Sequence, residues 1–441
     1  MKTGGVVDAG PARETAHRPV RLLVLFLLAW AMLEIASLGG LRLLRQRFGL
    51  RYRPLHDFFT DEDRDWLAAF MKTGDGWYHH LDPLLGWVTR PSATLSGKSP
   101  MKPATQNAQG VRSLHAYPDL PRAGVLRVAA FGDSFVHGDE VGDGEEWAAV
   151  VERSLPGIEV MNFGVSGYGP DQAFLRWQRD GIGVRPDVVV IGYMTENLLR
   201  TQNVFRPFYE RGSGFRLAKP RFRLEEGRLV LLPNPLATPS DFAELVRDPE
   251  GALARLGRDD AFFAGSGWHA VAFDFLPSVR FAMLLPAAIG SARRAHDLSY
   301  APGSAALLTT RAILEAFCRD VQAHGARPLI AMFPNEQDIE SRRHGGAAAP
   351  AELVSDLRRA NCPTLELLEA FDRDAPATPI RELFGQMHYS ALGNRIVARR
   401  IGEAIERLRS PPGALGDRST SAPVEAGSIV PGGAFGVAMR R

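Results

Sequence analysis

The segment PDVVVIGYM, Pro186–Met194, most constrains the fold, because it is apolar along almost its whole length. Such a strand is typical of a parallel sheet that helices cover on both faces. Comparable runs occur at Val125–Phe131, Ile158–Phe163 and Ala326–Pro334, with a weaker one at Thr364–Leu368. Helical patterns separate these runs, at Glu145–Leu155, Pro170–Asp180, Ala305–His324, Ala351–Ala360 and Ser390–Leu408. The alternation predicts an open parallel sheet flanked by helices.

An apolar stretch near the N-terminus is the second constraint. From Leu22 to Leu38 its only charged residue is Glu34, and counting on to Leu41 gives the length of about 20 residues that a membrane-spanning helix needs. An uncleaved signal anchor is favoured over a cleaved signal peptide, whose apolar core is shorter. Basic residues lie on both sides of the stretch, so the positive-inside rule does not choose an orientation. Those after it could instead contact anionic lipid headgroups.

The chain is expected to divide into segments of different character. We expect a disordered N-terminus at 1–20, a transmembrane signal anchor at 21–44, an extended preamble at 45–122, an α/β domain at 123–410 with an insert at about 202–304, and a disordered tail at 411–441. Within the insert, Glu225–Gly227 is predicted to form the turn of a hairpin. The aromatic side chains of the insert are expected to pack in the core rather than to line a groove: Phe262, Phe263, Trp268, Phe273 and Phe275.

Charge and cysteine content exclude some classes of partner. The chain has 52 Lys and Arg against 50 Asp and Glu, a formal charge of +2, which gives no reason to expect a nucleic-acid partner. Its two cysteines, Cys318 and Cys362, could form one bridge in an oxidising compartment, but two unpaired buried thiols are the favoured interpretation. No Cys/His cluster has the spacing of a zinc site, so no structural metal is expected.

Polar and glycine residues follow the ends of three predicted strands and precede the last predicted helix. The first strand runs into Gly132–Ser134, the second into a glycine-rich loop at 164–169, and the third into Glu196–Asn197, while His388 stands just before the helix. Ligands of an open α/β sheet bind beyond the carboxyl ends of its strands. Each residue alone fits an ordinary turn, cap or surface position. Their joint order predicts a serine-based site on one rim of the sheet.

Four segments resemble the successive blocks of the SGNH (GDSL) hydrolase family: FGDSFVHGDEV, NFGVSGYG, PDVVVIGYMTENLLR and HYSALGNRIVA. The resemblance runs from about Arg127 to Arg409, excluding the insert after Thr201. The preamble, with DPLLGW and NAQGVRS, resembles that of membrane-anchored bacterial members. The resemblance implies a three-layer α/β/α, flavodoxin-like open parallel sheet, the SGNH hydrolase fold, with no cofactor.

The resemblance also implies roles for individual residues. Ser134 would be the nucleophile and His388 the general base. The backbone N–H groups of Ser134 and Gly167 and the side chain of Asn197 would form the oxyanion hole. Gly167 is chosen over Gly164 because it lies in the small-residue turn VSGYG. A centre of this kind attacks an ester carbonyl and passes through an acyl-enzyme.

The chain departs from the family pattern at two positions. Leu198 follows Asn197 where Asp is common, and Gly385 stands where members usually carry the Asp that orients the histidine. Loss of that acid costs a serine protease about 10⁴ in turnover. A backbone carbonyl supporting a Ser–His dyad is one replacement, and three carboxylates are others: Glu382, Asp372 and Asp374. His137, three residues after Ser134, is expected to be a surface residue of the turn.

The sequence therefore favours an ester hydrolase that removes acyl groups, most simply acetyl, from a cell-envelope polysaccharide or lipid. Its catalytic domain is expected on the periplasmic or extracellular side of a bacterial membrane. Two alternatives stay open. One is a non-catalytic carbohydrate-binding or polysaccharide-assembly protein that keeps the fold, which Gly385 motivates. The other is an O-acyltransferase whose acceptor is a sugar hydroxyl.

Overall fold

The computed structural model describes residues 18–73, 79–95, 102–211, 216–346, 350–409 and 438–439. The disordered ends expected from the sequence lie almost wholly outside these residues. The chain divides into two compact units, Met1–Phe59 with Phe263–Ala292, and Thr60–Phe262 with Arg293–Arg441. The first is called the smaller unit and the second the larger unit.

The helices and strands are numbered in chain order. The α-helices are α1 Arg18–Phe48, α2 Asp61–Thr73, α3 Ser134–His137, α4 Trp147–Ser154, α5 Pro170–Arg176, α6 Asn197–Arg200, α7 Arg206–Tyr209, α8 Pro239–Arg247, α9 Pro249–Leu256, α10 Pro277–Ile289, α11 Ser291–Asp297, α12 Ala305–Ala323, α13 Glu336–Arg343, α14 Ala351–Arg359, α15 Leu368–Asp374, α16 Ile380–Leu383 and α17 Ala391–Leu408. The strands are β1 Arg53–Pro54, β2 His79–Asp82, β3 Gly86–Thr89, β4 Thr94–Leu95, β5 Ala104–Thr105, β6 Leu126–Phe131, β7 Ile158–Asn162, β8 Val188–Met194, β9 Arg221–Glu225, β10 Arg228–Leu232, β11 Trp268–His269, β12 Arg327–Phe333, β13 Thr364–Glu366 and β14 Ala438–Met439.

The larger unit is built around a five-stranded sheet in which neighbouring strands are parallel, in the order β7-β6-β8-β12-β13. Numbered along the chain, this is the 2-1-3-4-5 order of flavodoxin-like folds. One face of the sheet packs against α4 and α17. On the other face, an aromatic ring of α12 packs edge-on against one of β6 and stacks on one of α5. The predicted three-layer α/β/α architecture with a parallel sheet is therefore confirmed.

The position of β8 in the middle of the sheet explains why its sequence is so apolar. All seven of its residues are buried, because helices cover the sheet on both sides. The predicted hairpin of the insert is also present, as β9 pairs antiparallel with β10. Its turn residues Glu226 and Gly227 have positive φ of 49° and 77°, the conformation that two-residue hairpin loops favour.

The preamble, expected to be extended, contains the helix α2, the antiparallel hairpin β2–β3 and the short pair β4–β5. Tertiary contacts fold it. The ring of Phe70 in α2 packs edge-on against Phe242 of α8, with centroids 4.8 Å apart. Trp87 in β3 is fully buried. Such long-range packing overrides the turn-rich composition on which the sequence expectation was based.

The smaller unit combines α1 with part of the insert. Among the described residues, α1 is the one helix long and apolar enough to cross a membrane, and by length and composition it fits an anchor or a signal sequence. The helix α10 packs against α1, and β1 pairs in parallel with β11. Trp268 is buried, but Phe273 and Phe275 are 67% and 68% exposed. The expectation of core packing is wrong for these two rings, which lie exposed in the loop before α10.

Cys318 and Cys362 form a disulfide, which corrects the interpretation that favoured two unpaired thiols. Cys318 lies in α12, and Cys362 lies in the loop before β13, with their Cα atoms 6.0 Å apart. This separation is within the range that a disulfide spans. The sequence could not show it, because only the packing of α12 beside this edge of the sheet brings the two sulfurs together.

The double variant Cys318→Ser/Cys362→Ser should lose about 2–4 kcal/mol of unfolding free energy, because the bridge restricts the unfolded chain. The bridged residues are 44 apart in sequence. Denaturant titration of the full chain in detergent, followed by tryptophan fluorescence, measures the loss. Reductant should lower the wild-type midpoint to that of the variant and leave the variant unchanged. Equal midpoints for the oxidised wild type and the variant would contradict the bridge.

Candidate active site

Ser134 lies at the carboxyl end of the strand β6. The strand gives way to the short helix α3, which begins at Ser134 with Asp133 at its N-cap. The Asp133 carboxylate accepts a hydrogen bond from the backbone N–H of Phe135 at 2.9 Å, which fixes the turn. A Cβ at Gly132 would lie within 3.0 Å of Val136, so only glycine fits there. The Gly-Asp-Ser sequence thus ends the strand and presents the serine at the sheet edge.

His388 reaches Ser134 from the loop that precedes α17. Its Nε2 lies 2.8 Å from Ser134 Oγ. Ser390 caps α17 by accepting hydrogen bonds from two backbone N–H groups of that helix. The ring of Phe135 packs beside the imidazole, with centroids 5.1 Å apart. The structure therefore brings the predicted serine and histidine into hydrogen-bond contact.

The other ring nitrogen of His388 faces Glu140. Nδ1 lies 3.0 Å from Glu140 Oε1, so the tautomer assigned from these partners carries its proton on Nδ1 and accepts from Ser134 at Nε2. The same carboxylate accepts the backbone N–H of Gln386 at 2.6 Å and that of Met387 at 3.1 Å. Glu140 therefore binds both the imidazole and the backbone of the loop that carries it.

None of the three carboxylates suggested by the sequence occupies this position. Asp372 and Asp374 are ion-paired with arginines at 3.1 and 2.8 Å, and Glu382 is exposed. Glu140 holds the position instead, six residues after Ser134 in the same motif. Sequence reasoning missed it because a chain leaving a strand end would ordinarily carry such a side chain away from the site.

Gly385 makes room for this carboxylate. A Cβ built on Gly385 would lie within 3.0 Å of Glu140 Oε2, a distance that real Cβ atoms essentially never show. The backbone N–H of Gly385 donates to the carbonyl of His388 at 2.7 Å, which closes the turn. The absence of an acid at position 385 and the presence of Glu140 beside His388 are therefore coupled. Because Gly385 has no side chain, the carboxylate of Glu140 fits in the space that a side chain there would occupy.

A sharply turned loop at 138–141 carries Glu140 back toward the histidine. Gly138 and Glu140 have φ of 82° and 70°, and this left-handed region costs a non-glycine residue about 1–2 kcal/mol. The buried guanidinium of Arg112 holds the loop, donating to the carbonyls of His137 at 2.8 Å, Val141 at 2.7 Å and Gly138. These hydrogen bonds offset the strain and keep the carboxylate in place.

The pKa values of the two partners shift in opposite directions. Burial by itself lowers the pKa of the His388 imidazole, but the hydrogen bond to Glu140 and the nearby carboxylates of Asp139 and Asp133 outweigh it and raise the pKa. Burial by itself raises the pKa of the Glu140 carboxyl, but hydrogen bonds from His388 and two backbone N–H groups outweigh it and lower the pKa. Glu140 is therefore ionised at neutral pH and stabilises positive charge on the imidazole.

His137 belongs to a second buried network beside the first. Its Nδ1 lies 2.6 Å from Asp139 Oδ1, and Asp139 Oδ2 accepts a hydrogen bond from Ser166 Oγ at 2.7 Å. Its Nε2 lies 3.0 Å from Nε2 of Gln106 and therefore accepts there. Burial lowers the pKa of His137, which is only 1% exposed. The expectation of a surface histidine is wrong, because the preamble covers this side of the turn.

The glycine loop is held by this second network, through Ser166. Its neighbour Gly167 has a φ of 80°, which favours glycine, and lines the same cavity as Ser134. Gly164 is placed differently: a Cβ there would meet the backbone of His137, and its N–H already donates to a side-chain oxygen of the adjoining strand at 2.9 Å. Of the two glycines, Gly167 is the one whose N–H can serve an oxyanion.

The Asn197 side chain lies beside the N-cap of α3. Its Nδ2 donates to Asp133 Oδ2 at 2.8 Å, and its Oδ1 accepts from Met194 N at 2.9 Å. Within the described chain, the second N–H of this amide meets no other acceptor. Arg200, which sequence reasoning did not single out, donates to Asp133 Oδ2 at 3.3 Å and to the carbonyl of Tyr168 at 2.9 Å. It joins the serine turn to the glycine loop.

The preamble supports the glycine loop from behind. Trp87 donates its indole N–H to the carbonyl of Ser166 at 2.9 Å, and its own carbonyl accepts from Tyr168 Oη at 2.6 Å. Gln172 Nε2 donates to the carbonyl of Leu85 at 2.7 Å. The segment DPLLGW of the preamble is therefore part of the framework that positions the loop.

Ser134, Gly167 and His388 line a cavity of about 810 Å³, within the size range of small-molecule sites. Charged side chains such as Arg206 and Asp338 line it as well. Within the described residues, no group of three or more His, Cys, Asp or Glu side chains could hold a metal ion. A serine, a histidine and a carboxylate in one hydrogen-bonded chain form an arrangement suited to acyl transfer.

Neither a family model nor a curated protein matches the chain. Among solved structures, it is similar to a lipolytic protein of G-D-S-L family from Desulfitobacterium hafniense DCB-2, at 14% identity and a TM-score of 0.32, over 63% of this chain and 98% of that one. It is also similar to the acetyl xylan esterase AlAXEase, at 13% identity and a TM-score of 0.34, over 64% and 100% of the two chains. A third similar structure is that of an acetyl xylan esterase from Geobacillus stearothermophilus, at 15% identity and a TM-score of 0.33, over 64% of this chain and 94% of that one. These identities and TM-scores are low, so the likeness supports no argument about the chemistry of this chain.

The variant Gly385→Ala should slow the reaction of Ser134 with a fluorophosphonate probe by about 10²-fold, the cost of displacing a catalytic group by about 1 Å. The added methyl group takes the space of the Glu140 carboxylate. Labelling of the full chain in detergent, followed by gel fluorescence, measures the rate. Gly183→Ala is the matched control, since a Cβ there meets nothing within 4 Å. A wild-type rate for Gly385→Ala would show that the carboxylate is not needed where it lies.

Proposed function

We propose that this chain is a membrane-anchored serine ester hydrolase of the SGNH (GDSL) type. The observation that carries the proposal is the hydrogen-bonded chain from Ser134 Oγ through the His388 imidazole to the Glu140 carboxylate, with distances of 2.8 and 3.0 Å. Each member meets the requirement of its role: a nucleophile at a strand end, a base in contact with it, and an acid that fixes the tautomer of the base.

In the first half of the proposed reaction, Ser134 Oγ attacks the acyl carbon of an ester while His388 Nε2 takes its proton. The carbonyl oxygen becomes an oxyanion, for which the backbone N–H groups of Ser134 and Gly167 and the Asn197 amide are the proposed donors. His388 then gives its proton to the leaving alkoxide as the bond to the acyl carbon breaks. Glu140 stays ionised throughout and stabilises the imidazolium.

In the second half, water replaces the alcohol. His388 accepts a proton from the water as its oxygen attacks the acyl-enzyme, and the same donors hold the second oxyanion. Ser134 leaves with the proton that His388 returns, which releases a carboxylic acid and restores the site. No cofactor enters either half of the proposed cycle.

The proposed substrate is an acyl ester, most simply an acetyl ester, of a cell-envelope polysaccharide or lipid. The cavity supports a polar alcohol component, because Arg206, Glu210, Asn335 and Asp338 line it beside the serine. Side chains with charges and amides bind hydroxyl groups through hydrogen bonds, whereas a long acyl chain would leave them unsatisfied.

The proposed location is the oxidising side of a bacterial membrane. The bridge between Cys318 and Cys362 supports it, because structural disulfides persist in the periplasm and outside the cell. The helix α1 has the length and apolar character of an anchor. With the larger unit on that side, the N-terminal end of α1 faces the cytoplasm.

Two other functions remain distinguishable by experiment. A non-catalytic binding protein was suggested by Gly385, but Glu140 now provides His388 with a carboxylate partner. An O-acyltransferase would use the same acyl-enzyme with a sugar hydroxyl in place of water. Adding a sugar acceptor to the assay separates the two chemistries, since a transferase passes the acyl group from Ser134 to the sugar hydroxyl, so that acetylated sugar forms in place of free acetate.

Three single variants test the proposed roles. Ser134→Ala should abolish both fluorophosphonate labelling and hydrolysis of p-nitrophenyl acetate, and His388→Ala should reduce both strongly. Glu140→Gln should lower turnover by about 10⁴, as the corresponding change does in a serine protease. Glu382→Gln and Asp372→Asn are the controls and should leave turnover unchanged. Full labelling of His388→Ala, or equal loss in the two control variants, would refute the assignment.

The pH dependence gives an independent test. His388 must be neutral to accept the proton of Ser134, so activity should fall as pH falls through its pKa, which lies above the usual value. Replacing Glu140 by Gln removes a negative charge, lowers that pKa and should move the acidic limb of the kcat/KM profile to lower pH. Glu140 itself has a lowered pKa and stays ionised across this range. An unmoved limb in Glu140→Gln would show that the carboxylate does not act on His388.

A further inference from the structure

The helix α1 carries one acidic residue inside its apolar stretch. Glu34 stands eight residues before Arg42, so about 12 Å of helix separate it from the first basic residue at that end. A carboxylate at this depth of a spanning helix is costly unless protein groups satisfy it. A partner for Glu34 should therefore lie at the same depth.

The insert supplies that partner. Glu34 Oε2 accepts the backbone N–H of Ser278 at 2.9 Å, and Oε1 accepts Ser278 Oγ at 2.7 Å. The indole N–H of Trp30, one turn earlier in α1, donates to Oε1 at 2.8 Å. Ser278 is the second residue of α10, and the N-terminus of a helix favours a negative charge. The carboxylate is thus satisfied by the start of another helix.

From this point α10 continues along α1 toward its C-terminal end. A Cβ on Gly40 would lie within 3.0 Å of the ring of Phe281, so the two helices approach closely there. Further on, Leu44 of α1 packs in one buried cluster with Leu284 and Ala288 of α10. The helix α10 therefore begins at the level of Glu34 and runs outward beside the basic end of α1.

We propose that residues 273–289 of the insert enter the bilayer beside α1 and form a second membrane-contacting element whose ligand is the lipid acyl chains. The proposal rests on α1 being the proposed anchor. The helix α10 has 13 residues, about 20 Å, which is too short to cross the hydrocarbon core. The segment therefore enters and leaves on the same side.

The exposed side chains of this segment are those that lipid would cover. Phe273, Phe275 and Ile289 are 67%, 68% and 82% exposed, and Leu285 is partly exposed. Lipid is favoured over a protein partner because α10 packs against α1, and a bilayer must cover the exposed apolar side chains of α1 in any case. The same lipid would cover the exposed side chains of the neighbouring segment.

The polar groups of the segment are satisfied within the smaller unit. The Asp274 carboxylate accepts a hydrogen bond from Tyr52 Oη at 3.1 Å, and the Arg280 guanidinium donates to the Asp274 carbonyl. The same guanidinium lies over the Tyr52 ring, 5.4 Å from its centroid. Ionisable groups near a membrane persist when they pair in this way.

Depth-dependent fluorescence quenching tests the proposal on the full chain. Single cysteines with a nitrobenzoxadiazole label are placed by Phe275→Cys and Ile289→Cys in protein that keeps its disulfide, reconstituted in phosphatidylcholine–phosphatidylglycerol vesicles. Leu25→Cys, in the N-terminal part of the apolar stretch of α1, is the positive control. Leu114→Cys is a matched exposed leucine of the larger unit and corrects for the affinity of the dye itself for lipid. An unchanged denaturation midpoint confirms that each variant folds.

The expected result is blue-shifted emission and several-fold stronger quenching at 275 than at 114, with lipid spin labels at acyl carbon 12 more effective than those at carbon 5. At 289, about 16 Å further along the helix than Ser278, spin labels at carbon 5 should quench more strongly than those at carbon 12.

Quenching at 275 no greater than at 114 overturns the proposal. Self-quenching between labelled copies without lipid quenching also overturns it and identifies a second copy as the partner. Absence of quenching at Leu25→Cys would overturn both the anchor and the insertion, while the activity of Ser134 is read separately.

Discussion

The hydrogen bond between Glu140 and His388 is the interaction on which the rest of the site depends. It fixes the tautomer that lets Nε2 accept from Ser134, and it supplies the charge that stabilises an imidazolium. The bond exists only because the loop at 138–141 turns back, because Arg112 holds the carbonyls of that loop, and because Gly385 has no side chain. The carboxylate is thus placed by contacts from three separate parts of the chain.

The same turn links the acid to the proposed oxyanion donors. Asp139 precedes Glu140 directly, and its carboxylate holds both His137 and Ser166, the neighbour of Gly167. A shift of this turn would therefore move the acid and the glycine loop together. Both ring nitrogens of the buried His137 are hydrogen-bonded, one to Asp139 and the other to Gln106. His137 therefore holds the turn in place and has no free nitrogen with which to exchange a proton with a substrate.

The preamble precedes the α/β domain expected from the sequence and the insert interrupts it, yet both are folded parts of the protein. Trp87 of the preamble holds the carbonyl of Ser166 and so supports the glycine loop. The insert returns to the N-terminal helix, and the chain passes between the two units at 59–60, 262–263 and 292–293. The contact of Glu34 with Ser278 makes α1 part of the folded smaller unit.

The sequence by itself determined the α/β class, the strands and helices of the sheet, and the meeting of Ser134 with His388. The class and the elements follow from local periodicity, whereas the pairing of Ser134 with His388 was implied by the resemblance of the motifs around them to a known family. Only the tertiary structure decided that Glu140 contacts His388, that His137 is buried, that Cys318 pairs with Cys362, and that Phe273 lies exposed. Each depends on distances between residues remote in sequence or on a left-handed backbone, and neither leaves a periodic pattern in the amino acids. Local interactions set the elements, whereas packing between elements set the contacts of the site.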